Sequence, residues 1–133
     1  MVDKEEGLSY NMENYQYKIG NFLINMEEKL VIVHRDGMQD WLTWPNPPVD
    51  IGVINRALGR IEELEQQMDP NLVIEIRDEI GQVETFRQIA KLVGKKNTAV
   101  VVGARESVCV KTVIKRLDEA GISYRKDRLG IVD

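Results

Sequence analysis

The chain has 133 residues, 43% of them hydrophobic and 30% charged, with a net charge of −4 at pH 7. That length supports one real hydrophobic core and excludes two enzyme-sized domains, and the composition is that of a globular protein rather than a disordered or membrane-embedded one. No apolar run approaches the roughly 20 residues of a membrane-spanning helix, and the start, MVDKEEGLSYNMEN, is acidic where a signal peptide is basic and then apolar. One cysteine, Cys109, permits no internal disulfide, so a cytoplasmic location is expected.

Residues 1–14 have no sustained period and read as a disordered tail. Tyr15, Tyr17 and Ile19 alternate with polar residues, and the phase shifts at Gly20-Asn21 before Phe22, Leu23 and Ile24, as in a strand with a bulge. LVIVH, residues 30–34, is the second strand, near enough to make an antiparallel hairpin with the first. RDGMQDWLTWPNPPVD reads as a loop from its Asp-Gly, its three prolines and its lack of period. Its indoles, Trp41 and Trp44, are candidates for stacking on a ligand, against the commoner alternative of a lid folded over the core. After Asp50, an N-cap, Ile54, Ala57, Leu58, Ile61, Leu64 and Met68 form one helical stripe over residues 51–68. That stripe packs on the hairpin or serves as the seam of a homodimer.

Asp69-Pro70-Asn71 ends the helix, and LVIEIR, residues 72–77, is a short strand. In TFRQIAKLVG, Phe86, Ile89, Ala90 and Val93 share a helical face that Gly94 ends. From Ser107, placed as an N-cap, Val110, Val113, Ile114, Leu117 and Ala120 make a second such face, ended by Gly121. Charge is uneven: residues 1–89 hold 8 Lys/Arg against 17 Asp/Glu, and residues 90–133 hold 10 against 5. A basic tail favours a phosphate-bearing partner through counterion release, with pairing inside the fold or across a dimer as an equal alternative.

Between the two helices lies KKNTAVVVGARES, which decides between two readings. If residues 97–103 are a short helix, the stretch 85–133 resembles the winged helix-turn-helix family of DNA-binding domains: ETFRQIAKLVG is similar to the helix before the turn, and RES with VIKRLDEAGISYRKDRLGIVD to the recognition helix and wing. The chain departs from that pattern by about eight extra residues between Gly94 and Arg105. The resemblance implies a small regulator of transcription binding duplex DNA. Helix 107–120, with Ser107 among its DNA-binding residues, would lie in the major groove, with Arg105, Glu106 and Lys111 nearest base edges and Lys115 and Arg116 nearer phosphates. Arg125, Lys126 and Arg128 of the wing would lie along the backbone or in the adjacent minor groove. If TAVVVG is instead a buried strand, the C-terminal half is an open α/β sheet. The GARES turn then presents Gly103, Arg105 and Ser107, with Trp41 or Trp44 stacking, to a nucleotide or other phosphorylated small molecule. That site lacks the spacing of either Gly-rich phosphate motif. A third reading is an interaction or assembly protein using the Trp-Pro loop and the long helix.

Catalytic signals are sparse, and no enzyme activity, metal or cofactor is expected. His34, the sole histidine, could join Asp36 and Asp40 in metal or acid–base chemistry, but reads as a packed strand-end residue. Cys109, between two valines, reads as a half-buried filler. The expected architecture is α+β. An N-terminal antiparallel β-hairpin and long amphipathic helix (residues 15–70) precede a basic helical, winged-helix-like unit (residues 71–133), and both form one compact body. An open α/β sheet in the C-terminal half is the alternative.

Overall fold

A computed structural model describes residues 16–19, 22–25, 27–77 and 83–133. The expected tail, residues 1–14, and the expected bulge at Gly20-Asn21 lie outside them. Two short strands, β1 (Gln16–Ile19) and β2 (Phe22–Asn25), pair with each other antiparallel in a sheet of their own. The chain then enters β3 (Glu27–Val33), whose Leu30, Val31, Ile32 and Val33 are all fully buried. An unbroken apolar run needs cover on both faces, which helices supply, and both edges of β3 are paired in parallel, with β4 (Val73–Ile76) on one side and β5 (Asn97–Ala104) on the other. β6 (Ser123–Val132) pairs in parallel with β5, giving the order β4-β3-β5-β6.

This overturns the expected hairpin between residues 15–24 and LVIVH, and with it the helical, winged unit. Residues 97–103 are strand, and the β-branched TAVVVG run fills the second central place in the sheet. The terminal basic segment, expected as a wing, is a parallel edge strand. The open α/β alternative fits, and it extends across the whole four-stranded sheet.

Helices cover both faces. Two pieces follow β3: α1 (Arg35–Trp41) and α2 (Ile51–Gln66), the latter capped by Asp50, whose carboxylate accepts from the N–H of Gly52 and of Val53. The expected stripe Ile54, Ala57, Ile61 and Leu64 is buried against Leu30, Ile32, Val100 and Val102 of the sheet. α1 corrects the reading of residues 35–50 as loop throughout: despite Asp36-Gly37, the segment winds one short helix and drives Met38 into the same core. On the opposite face lie α3 (Val83–Arg87), α4 (Ile89–Val93) and α5 (Lys111–Glu119). From these, Ile89, Val93, Val113 and Leu117 meet Val31, Val33, Ala99 and Val101. α4 and α5 stop at the expected glycines, with φ of 87° at Gly94 and 72° at Gly121.

A π-helical turn, Glu106–Val110, leads into α5, so helical backbone starts before Ser107 and that residue is not the N-cap. No helix among the described residues is long and apolar enough to cross a membrane.

Candidate functional site

The chain leaves β3 toward one face of the sheet and leaves β5 toward the other. Where two adjacent parallel strands diverge like this, their carboxyl ends cannot be closed over by a connection, and a crevice forms. Here the crevice is a cavity of about 210 Å³. His34 follows β3, Gly37 and Trp41 come from α1, Ala104 and Arg105 end β5, and Val108 and Cys109 belong to the π-helical turn.

Gly103, next to the lining residue Ala104, sets how closely the two strands approach beside the cavity. A Cβ on this residue would stand 2.0 Å from the carbonyl oxygen of Val33 and 2.7 Å from its nitrogen, and its φ is 119°. Only glycine lets β5 come this close to β3 at the mouth of the crevice. His34 enters from β3 in left-handed backbone conformation, φ 55°, with its N–H donating to the Ile76 carbonyl at 2.7 Å. Its ring lies 6.3 Å from that of Phe86, tilted by 60°.

Arg105 carries the positive charge at the cavity. Its guanidinium carbon stands 5.4 Å from the centre of the Trp41 ring, within cation–π range, and its Nη1 donates to the Asp133 carbonyl at 3.4 Å. The Asp133 carboxylate itself accepts from Ser107, from the N–H at 3.0 Å and from the hydroxyl at 2.6 Å. These two hydrogen bonds, with the nearby Arg105 charge, hold its pKa below the ordinary aspartate value. Ser107 therefore spends its donors on the end of β6 rather than on its own helix.

The expected DNA-contacting set divides. Glu106 accepts from Arg128 and, at 3.2 Å, from Lys126; these two partners, Arg128 first, lower its pKa. Arg125 Nε donates to Glu28 at 2.8 Å. The basic terminal segment is thus paired largely with carboxylates of its own chain. Lys111, Lys115 and Arg116 stand exposed on α5, away from the cavity lining. The two tryptophans also part: Trp41 lines the cavity and packs on the core, whereas Trp44 is 46% exposed and donates its indole N–H to Asp40 at 3.2 Å.

Of the residues singled out for a phosphate-type ligand, Arg105 and Trp41 line the cavity, Gly103 is the chain neighbour of the lining residue Ala104, and Ser107 and Trp44 are not part of the lining. Sequence reasoning set aside His34 and Cys109, yet both line the cavity. The signal that would have found them is positional, since each lies just beyond, or one helical turn beyond, the carboxyl end of a central parallel strand. Elsewhere Arg35 donates to Glu65 and Glu75, both at 2.7 Å, and Arg60 of α2 donates to the buried Asp127 at 2.9 Å. These pairs tie α2 to the sheet. No family model, curated protein or solved structure matches the chain.

Proposed function

We propose that the protein is a binding module that holds a small anionic molecule in the crevice between the ends of β3 and β5. The observation that carries this reading is Arg105, held over Trp41 at the edge of an otherwise mainly apolar cavity at the divergence of the sheet. A guanidinium in that position gives an anion a charge-assisted, directional contact, while Trp41, Ala104 and Val108 offer apolar surface to the rest of the ligand. At about 210 Å³ the cavity has room for roughly seven waters at ~30 Å³ each, which is the scale of a small metabolite or of one end of a larger one.

Trp41 is also the reporter. In a Trp44→Phe background its emission is the only tryptophan signal, and titration with a panel of small carboxylates and phosphates is expected to change it saturably. Arg105→Ala is expected to abolish the response without changing the fold. A folded protein whose Trp41 emission is indifferent to the whole panel, or whose response survives Arg105→Ala unchanged, refutes the reading.

A further inference from the structure

We infer that the anion is a small monocarboxylate with an apolar body of about one ring in size, and not a phosphate ester; this rests on the crevice being a ligand site. The reason is the charge already present. A phosphate monoester carries close to two negative charges at neutral pH and presents three acceptor oxygens. At the ends of parallel strands such a group is normally met by backbone N–H donors of the following helical turn together with cations. Here that turn has committed donors: the Ser107 N–H and hydroxyl both serve the Asp133 carboxylate, at 3.0 and 2.6 Å. Asp133 is a solvent-exposed anion at the rim, already bonded to the turn that a phosphate would look to for its contacts.

The balance of formal charge follows. Arg105 and Asp133 together sum to zero before any ligand arrives. One carboxylate takes the local sum to −1, and a phosphate dianion takes it to −2 beside an aspartate. The Asp133 carboxylate opposes added negative charge, more for a dianion than for a monoanion, although solvent screens it. Lys126 and Arg128 bring no relief, because both are already engaged with the Glu106 carboxylate. A carboxylate also suits the donor that remains. It is planar and takes two parallel N–H bonds from one guanidinium, and Arg105 has five N–H groups of which one meets the Asp133 carbonyl. The walls beyond it, Trp41, Ala104, Val108 and Cys109, are suited to hydrocarbon rather than to further polar atoms.

Benzoate and phenyl phosphate test this directly, since they share an apolar body and differ in the anionic head. With Trp44→Phe protein, benzoate is expected to bind at least about tenfold more tightly than phenyl phosphate, and inorganic phosphate more weakly still. Asp133→Asn, which keeps the shape and removes the charge, is expected to narrow or reverse that ratio by improving phenyl phosphate alone. Phenyl phosphate binding as well as benzoate to the unaltered site, or a ratio untouched by Asp133→Asn, overturns the inference while leaving the crevice as an anion site. Silence from all three compounds, and from the wider panel above, removes the site and the inference together.

Discussion

Replacing Gly103 by alanine puts a methyl group against the backbone of the neighbouring central strand. The new Cβ would lie 2.0 Å from the Val33 carbonyl oxygen, well over 1 Å inside ordinary contact, and Val33 is fully buried between helices on both faces of the sheet. Neither strand has room to retreat, because β3 is also paired with β4 and β5 with β6. Two costs add. An L-residue at φ 119° carries about 1–2 kcal/mol of backbone strain, and forcing packed elements apart adds about 1–3 kcal/mol. The expected loss is about 3–4 kcal/mol, a large part of the ~5–15 kcal/mol that holds a domain together. Urea unfolding followed by far-ultraviolet circular dichroism measures it: at about 1–3 kcal/mol per molar denaturant, the midpoint falls by about 2 M. Gly59→Ala is the control, since Gly59 is an exposed position of α2 with nothing within 4 Å of the new methyl. That change is expected to stabilise by about 0.5–1 kcal/mol. A Gly103→Ala midpoint no lower than that of the wild-type protein would refute the argument that close strand approach demands glycine here.

Three further outcomes are expected. Arg35 holds the Glu65 carboxyl below the ordinary glutamate range, so that pair's contribution is complete above the unfolded pKa and disappears as pH falls through the lowered folded value. Glu65→Gln should therefore lower the melting temperature at pH 7 modestly, by an amount worth about 1 kcal/mol or less given the partial exposure, and flatten its decline below about pH 4.5; parallel acid limbs would contradict this. Arg60→Met should cost more than Asp127→Asn, about 2–3 against about 1 kcal/mol. The first leaves a carboxylate that is 7% exposed with the longer, 3.9 Å contact to Arg125, and the second leaves a guanidinium that is 30% exposed, keeps Glu63 and can rehydrate; equal losses in urea melts would show that burial does not set the asymmetry. Labelled duplex DNA should show no steeply salt-dependent anisotropy change at low salt, because Arg125, Lys126 and Arg128 are paired with Glu28 and Glu106; tight binding that weakens by about one unit of log–log slope per phosphate contact would restore the reader helix.

What the sequence made legible was local. The Asp50 cap, the stripe from Ile54 to Leu64, and the glycine stops at Gly94 and Gly121 all follow from residue type and a 3.6-residue period. Pairing was not legible in the same way. Leu30–Val33 announces a strand, but whether it pairs back on residues 15–24 or in parallel with 73–76 and 97–103 depends on which helices arrive to cover its second face, and no local pattern carries that. The Asp-Gly in residues 36–37 reads as a turn because its intrinsic helix preference is poor; burial of Met38 outweighs it. Arg105 and Ser107 could be picked from the strand-to-helix junction, whereas Asp133 could not, because its contact with Ser107 spans 26 residues and exists only once β6 lies beside β5.

β6 lies at the border of the sheet and is hydrogen-bonded to a neighbouring strand on one side only. Strands in that position are the first to open in native-state fluctuations. Yet Asp133, the residue just after it, fastens Ser107 and touches Arg105, and two of the strand's own side chains clasp Glu106. Residues at the rim of the crevice are thus held in part from a strand that is paired on one side only. Fraying of residues 131–133 releases the Asp133 contacts to Ser107 and Arg105, so amide exchange at the end of β6 reads out how often those contacts open.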